Sequence, residues 1–332
     1  MVGPPKEAAP AHMSTYESQV SDGVRRAAYE VESVRFAPSD PPDGAWYTAI
    51  ARCSVVDERG RSETALGYAS DVTTNQQVVD RAVSEGVERA TARLIHRDDP
   101  AAAYKTTTGS AVHRTPGQAL THARRELIGS LLFIRRFHDR DMGTKLPEAR
   151  LPFAPRSAEV TAWMDPALQY IFCAVLQVDA TPKLAMTVRD CSDVPWQRAR
   201  ELSVLEILQP RPWVRHHLAG GSQDDPPHLE DMEIRTVADR AVYWSRIESR
   251  SAIATYRELR LKAHIAWNAP ATAQEVFDCR VVADLRLTGE LGPLCFARVE
   301  DSTTRGRYVS SELESAMFGN AREAIFRPHP MI

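Results

Sequence analysis

Hydrophobic positions along this chain change spacing from one segment to the next. The run at 45–56, AWYTAIARCSVV, is rich in aromatic and β-branched residues and precedes the charged turn DERGR, so it predicts a strand and a hairpin. Residues 75–95 switch to helical spacing, and Thr73, Thr74 or Asn75 could supply the N-cap oxygen. The apolar stripe of this first predicted helix consists of Val79, Val83, Val87, Ala90 and Leu94.

The rest of the chain continues to alternate between strand and helix patterns. A second helix is predicted over 116–137, with Pro116 in its first turn, and a third over 196–209, before Pro210 and Pro212. Further predicted strands cover 169–178, 183–188, 279–286 and 293–300, and further helical patterns cover 235–262. This alternation predicts an α/β (α+β) fold, with mixed sheets packed against helices.

The composition divides the chain of 332 residues into an arm and one large domain. Residues 1–42 are rich in Pro, Ala, Ser and Asp, and little burial would offset the entropy cost of ordering them, so we expect a flexible arm. We expect a single domain over 43–332. Within it, the loop 218–230 contains two glycines and two prolines, and it is either a mobile lid or an ordinary surface connection.

Charge and cysteine content exclude several classes of protein. The 41 Lys+Arg and 44 Asp+Glu leave a formal charge of −3, which argues against nucleic acid as the main partner. The five cysteines are odd in number and lack a CxxC pair, so neither a disulfide framework nor a structural zinc site fits. No apolar run approaches the ~20 residues of a bilayer span, and no secretory signal is visible. We therefore expect a soluble, cytoplasmic protein without a membrane partner.

Oxygen-bearing side chains three residues apart on two predicted helices are the strongest candidates for chemistry. Common signatures such as GxxxxGK[ST], GxGxxG, GxSxG and HExxH are absent. Glu85 with Glu88, and Glu206 with Gln209, share a helix face, and carboxylates at this spacing suit Mg²⁺. An ordinary solvated face is the alternative for Glu85 and Glu88, whereas Glu206 lies on a mostly apolar helix and requires a partner.

Five segments, in this order, resemble motifs of the YcaO family, whose ATP-dependent members activate peptide amides in forming azolines and thioamides. Residues 82–89, AVSEGVER, are similar to SxxExxER, and TTTGSA at 106–111 is similar to an STNGLA segment. ELIGS at 126–130 keeps only the first glutamate of a second ExxER motif. The ExxQxR motif is complete at 206–211, EILQPR. The terminal PHPMI at 328–332 is similar to a PHPFP ending.

This resemblance implies a YcaO-like fold and a nucleotide site in which carboxylates from three helices hold Mg²⁺ on the phosphates of ATP. The implied metal ligands are Glu85, Glu88, Glu126 and Glu206. Further implied ATP contacts are Arg89, Thr107, Gly109, Gln209 and Arg211, and the implied catalytic tail contains Pro328, Pro330 and Ile332. In the implied reaction, a Cys, Ser or Thr side chain attacks the preceding amide, ATP phosphorylates the oxygen, and loss of phosphate leaves the azoline.

Departures from the motifs leave two hypotheses open. Gly129 and Ser130 replace a Glu and an Arg, and Thr108 replaces an Asn, which removes an expected metal ligand and phosphate contacts. The chain is either a divergent cyclodehydratase acting on a ribosomally made precursor peptide, which we favour, or a degenerate non-catalytic subunit that binds that peptide or an active partner. The implied assembly is a homodimer that works with a separate leader-peptide-binding protein.

Overall fold

Two sheets and five helices make up the part of the chain that the computed structural model describes, namely residues 25–39, 46–72, 74–97, 107–139, 141–148, 150–178, 183–209, 237–261 and 279–301. The strands are β1 (Arg25–Ser39), β2 (Trp46–Asp57), β3 (Ser62–Asp71), β4 (Ser110–His113), β5 (Thr144–Lys145), β6 (Glu159–Asp165), β7 (Tyr170–Leu176), β8 (Leu184–Asp190), β9 (Cys279–Gly289) and β10 (Leu294–Asp301). The helices are α1 (Gln76–His96), α2 (Pro116–Asp139), α3 (Trp196–Leu208), α4 (Val237–Arg246) and α5 (Ser249–Leu261). The predicted mixed α/β class is confirmed. None of the described helices has both the length and the hydropathy needed to cross a bilayer.

The larger sheet has six strands in the order β3-β2-β1-β9-β10-β4. All neighbours pair antiparallel except β1 and β9, which are parallel and join the first described strand to one of the last. α1 covers β2 and β3, and the Asn75 side chain caps it by accepting a hydrogen bond from the Val78 amide at 3.0 Å. The apolar stripe of α1 packs into the core of this sheet, because Ala49, Ala51, Cys53 and Val55 of β2 face it.

The smaller sheet has the order β5-β6-β7-β8 and is covered on both faces. Every residue of β7, YIFCAVL, is buried. Phe172, Ala174 and Leu176 pack against α2, α4 and α5, whereas Ile171, Cys173 and Val175 pack against α3. Burial on both faces explains why this strand reads as a continuous apolar run rather than as an alternating one.

Helix α2 is shared by the two sheets. Its first half packs Ala119, Ala123 and Leu127 against β10 and β4 of the larger sheet. Its second half packs Phe133 and Phe137 against the smaller sheet. Polar groups that face outward near the middle of α2 therefore lie where the two halves of the structure meet.

One boundary predicted from composition is wrong, because part of the expected arm is strand β1. Ala27 and Tyr29 are buried between β2 and β9, while Ala28 and Glu30 beside them are exposed. The Tyr29 hydroxyl donates to the Gly292 carbonyl oxygen at 2.8 Å, far away in sequence. Long-range pairing thus provides the burial that the local composition does not show. The other residues of the predicted arm, and the loop 218–230, lie outside the described residues.

Backbone of α1 lies directly against backbone of β3, at two glycines. A Cβ at Gly67 would overlap the Ala82 carbonyl oxygen and the Gly86 amide nitrogen. A Cβ at Gly86 would come within 2.8 Å of Cys53 Sγ. Since Gly86 lies between Glu85 and Glu88, this close packing fixes the height of both carboxylates above the sheet.

We expect Gly67→Ala to destabilise the protein by about 1–3 kcal/mol, because the new methyl group overlaps backbone atoms that belong to a packed helix. Urea unfolding measured by circular dichroism tests this expectation. Gly117→Ala in the first turn of α2 is the matched control, since nothing lies within 4 Å of its Cβ position. The control should be unchanged or stabilised by up to about 1 kcal/mol. Equal stability of the two variants would contradict the close approach.

Candidate functional site

The four glutamates proposed as metal ligands come from three helices and lie close enough to influence one another. Glu85 and Glu88 are on α1, Glu126 on α2 and Glu206 on α3. Burial raises the pKa of Glu88 well above its ordinary value, and the negative charges of Glu126 and Glu85 raise it further. The structure thus brings together carboxylates that are 121 positions apart in sequence, from Glu85 to Glu206.

Glu126 is at the centre of this group. The surrounding protein raises its pKa to about 8, with Glu206 and Glu85 as further contributors, while Arg298 and Arg89 act in the opposite direction. Solvent still reaches an appreciable part of the Glu126 side chain. A carboxylate that is close to protein yet reached by water is accessible to a ligand.

The four carboxylates differ in their partners. Glu85 accepts a hydrogen bond from the Tyr68 amide at 2.6 Å and forms an ion pair with Arg89, and Glu206 accepts one from Arg189 Nη2 at 2.7 Å. Among the described residues, neither Glu88 nor Glu126 has a hydrogen-bond or ion-pair partner. These two carboxylates are therefore the ones that a cation would neutralise.

The TTTGSA segment forms a turn that leads into β4. The Ser110 amide donates to the Thr107 carbonyl oxygen at 2.8 Å, and Gly109 has a φ of +82°, which favours glycine. A Cβ at Gly109 would also overlap the Val299 carbonyl oxygen. Because the Gly109 carbonyl accepts from the Val299 amide at 2.7 Å, the turn is fixed to β10.

Arg298 on β10 is a residue of the site that the sequence motifs missed. Its side chain is completely buried; Nη1 donates to Ser110 Oγ at 2.8 Å and Nε to Glu300 Oε1 at 3.2 Å. Its charge lowers the pKa of both Glu88 and Glu126. The signal in the sequence was the charged group Arg298, Glu300 and Asp301 at the end of an otherwise apolar strand, which requires buried partners.

Asp71 at the end of β3 connects α1 to α3. Its buried carboxylate accepts from Arg81 Nη2 of α1 at 2.8 Å and from Arg198 Nη2 of α3 at 2.5 Å. A carboxylate shared by two guanidinium groups joins elements that pack on different sheets. This connection keeps Glu206 on the same side of the molecule as Glu85 and Glu88.

The position of the missing second glutamate is filled by an aromatic ring. A Cβ at Gly129 would lie 2.8 Å from Cε1 and 3.1 Å from Cδ1 of Tyr170, whose hydroxyl donates to the Arg125 carbonyl oxygen at 2.8 Å. Ser130, in place of the motif's arginine, is buried. Tyr170 therefore occupies the space that a larger residue at 129 would need. Glu126 is the sole acidic residue of the ELIGS segment.

Gln209 follows α3, and its amide donates to the Glu206 carbonyl oxygen at 3.3 Å. Its side-chain nitrogen is buried without a hydrogen-bond partner in the part of the chain described. Arg211, Pro328, Pro330 and Ile332 lie outside the described residues, so their predicted roles stay predictions.

The donor set fits Mg²⁺ held jointly with phosphate. No group of three or more His, Cys, Asp or Glu within the described ranges is arranged to hold a metal ion by protein ligands alone. Mg²⁺ usually takes only one or two carboxylates and completes its shell with phosphate oxygens and water. The unpartnered Glu88 and Glu126 meet that requirement, and Arg89 and Arg298 bring positive charge to the same region.

Comparison with known proteins shows a shared fold. No family model and no curated protein sequence matches the chain. A chain of the E. coli microcin synthetase McbBCD complex aligns with a TM-score of 0.51 and 10% identity over 81% of this chain and 87% of its own length. The same complex with pro-MccB17 bound aligns with a TM-score of 0.50 and 11% identity over 85% of this chain and 91% of its own length. YcaO from Methanopyrus kandleri bound with AMPPCP and Mg²⁺ aligns with a TM-score of 0.47 and 14% identity over 89% of this chain and 91% of its own length. The chain therefore has the fold of these microcin synthetase chains.

Proposed function

We propose that the group of carboxylates on α1, α2 and α3 binds ATP together with Mg²⁺. The observation that carries this proposal is the pair of unpartnered carboxylates, Glu88 and Glu126, whose pKa values are raised by burial and by neighbouring glutamates. Such a site repels a polyphosphate alone, so a divalent cation must reverse its local charge. A bound cation would lower both pKa values and remove the repulsion between the two side chains.

Each part of the site has a distinct task in this proposal. Glu88 and Glu126 hold Mg²⁺, while Glu206 keeps Arg189 oriented by their hydrogen bond. Arg298, fixed by Ser110 and Glu300, gives the site a permanent positive charge. When bound, Mg²⁺ neutralises phosphate charge, and ATP is the source of the phosphoryl group. Positioning and charge stabilisation are the protein's contributions to such a transfer.

The reaction that we propose is activation of backbone amides in a ribosomally made precursor peptide, which leads to azoline heterocycles. Two facts support it: the motifs resemble those of the YcaO family, and the fold is that of a chain from a microcin synthetase complex. One similar structure is that complex with pro-MccB17 bound, which supports a peptide substrate and partner proteins. We further propose a cytoplasmic homodimer that acts with a separate leader-peptide-binding protein.

A non-catalytic subunit is the second candidate function, favoured by the ring of Tyr170 against Gly129. No second glutamate accompanies Glu126 in the ELIGS segment, so α2 offers one carboxylate where the family motif has two. A subunit of this kind would bind the precursor peptide or an active partner without turning over ATP.

Binding of a non-hydrolysable ATP analogue should require Mg²⁺ and both unpartnered carboxylates. In calorimetry with the analogue and Mg²⁺, we expect Glu88→Gln and Glu126→Gln to weaken binding at least about tenfold, because each removes a charge-assisted contact. Glu58→Gln, in the exposed turn after β2, is the matched control and should bind as the parent does. Absence of binding by the unmodified chain would refute the nucleotide site.

Phosphate release separates the two candidate functions. With ATP, Mg²⁺, the leader-peptide-binding protein and the precursor peptide, an active cyclodehydratase releases phosphate, and Glu88→Gln abolishes the release. Binding of the analogue without any phosphate release would establish the non-catalytic candidate.

Without ligand, Glu126 should make stability depend on pH. Its pKa is about 8 in the folded state against 4.5 for the ordinary group, so the folded state holds the extra proton between these values. The free energy of unfolding therefore falls as pH rises from about 4.5 to about 8. We expect Glu126→Gln to match the parent near pH 4 and to be more stable at pH 8.5, by on the order of 1 kcal/mol because solvent screens the group. Urea unfolding at the two pH values measures the difference, and a variant that exceeds the parent equally at both would contradict the raised pKa of Glu126.

A further inference from the structure

One side of α1 follows the edge of strand β3 through contacts spaced four residues apart. Glu85 accepts from the Tyr68 amide at 2.6 Å. Arg89 Nη1 donates to the Leu66 carbonyl oxygen at 3.0 Å, and Arg93 Nη1 donates to the Thr64 carbonyl oxygen at 2.9 Å. The side chains at 85, 89 and 93 thus contact the backbone at 68, 66 and 64, in antiparallel order. We call these three contacts the edge ladder.

The spacing of these contacts along α1 matches their spacing along β3. Four residues of an α-helix rise about 6.0 Å, and two residues of an antiparallel strand span about 6.8 Å. Because these two lengths are similar, three successive contacts form before the helix and the strand fall out of register. One turn farther along, Arg97 contacts the side chain of Glu63, at 3.8 Å, in place of a backbone group of β3.

β3 is the terminal strand of the larger sheet, and alternate residues of an edge strand direct both backbone polar groups away from the sheet. Residues 64, 66 and 68 are such alternate residues, because the Thr64 and Leu66 carbonyl oxygens and the Tyr68 amide meet side chains of α1. The edge ladder satisfies polar groups that would otherwise be open to another strand. Gly67 and Gly86 allow the helix to come close enough for these side chains to reach.

The ladder engages Glu85 fully, unlike Glu88. The carboxylate of Glu85 receives the Tyr68 amide and the Arg89 guanidinium, which in turn lies 5.7 Å from the centre of the Tyr68 ring. Glu88, about one turn farther along α1 and close to Glu126, has no such partner among the described residues. Glu85 and Glu88, the two glutamates of the AVSEGVER segment, therefore have different surroundings.

We propose that Glu85, Arg89 and Arg93 are positioning residues that attach α1 to the edge of β3, and that Glu88 alone on this helix holds the cation. The part that concerns Glu88 rests on the proposed nucleotide site. The attachment itself does not depend on any ligand, and it assigns Glu85 and Arg89 a role other than contact with metal or phosphate.

Hydrogen exchange at the Tyr68 amide, followed by NMR on the full chain without ligand, tests the attachment. Glu85→Ala removes the acceptor and should accelerate exchange at least about tenfold, whereas Glu85→Gln keeps a carbonyl acceptor and should change the rate less than about threefold. Asp80→Asn is the matched control, because its carboxylate accepts from Gln76 on the same helix. Unchanged exchange in Glu85→Ala would overturn the proposal.

Affinity for the ATP analogue with Mg²⁺ tests the division of roles. Glu85→Gln should bind within about threefold of the parent, whereas Glu88→Gln should bind at least about tenfold more weakly. Equal losses in the two variants would make Glu85 a ligand and overturn the proposal. If the parent chain binds no nucleotide, the proposed function fails, and the exchange measurement still decides whether the ladder exists.

Discussion

Contact between helix α1 and strand β3 sets the geometry on which the candidate site depends. Gly67 and Gly86 let the two backbones touch, so the carboxylates on α1 are held at a fixed height above the larger sheet. Asp71, at the end of the same strand, then accepts hydrogen bonds from Arg81 and Arg198 and joins α1 to α3. A small change in this packing would move Glu88 away from Glu126 and Glu206.

Repulsion between like charges is the cost of this arrangement, and the fold offsets only part of it. Arg298 is buried and its charge acts to lower the pKa values of Glu88 and Glu126, yet both remain raised. Arg189 and Arg89 are already engaged by Glu206 and Glu85. Without a ligand, the two carboxylates that lack partners therefore retain protons to a higher pH than ordinary glutamates, and a bound cation would favour their ionised forms.

Periodicity predicted the elements whose burial is local, and it missed those whose burial comes from distant strands. Helices α1, α2 and α3 and strands β2, β7 and β10 follow from apolar spacing. β1 could not be predicted, because Ala27 and Tyr29 are covered only by pairing with β2 and β9. The motifs identified Glu85, Glu88, Glu126 and Glu206, but spacing alone could not show that Glu85 is engaged by an edge strand or that Tyr170 fills the space beside Gly129.

The most direct test of the central claim is an electron paramagnetic resonance titration of the chain with Mn²⁺ in place of Mg²⁺, with and without the ATP analogue. If Glu88 and Glu126 form a cation site completed by phosphate, Mn²⁺ will bind stoichiometrically only when the analogue is present, and the Glu88→Gln, Glu126→Gln double variant will lose it. Nucleotide-dependent Mn²⁺ binding that survives in the double variant would contradict this account.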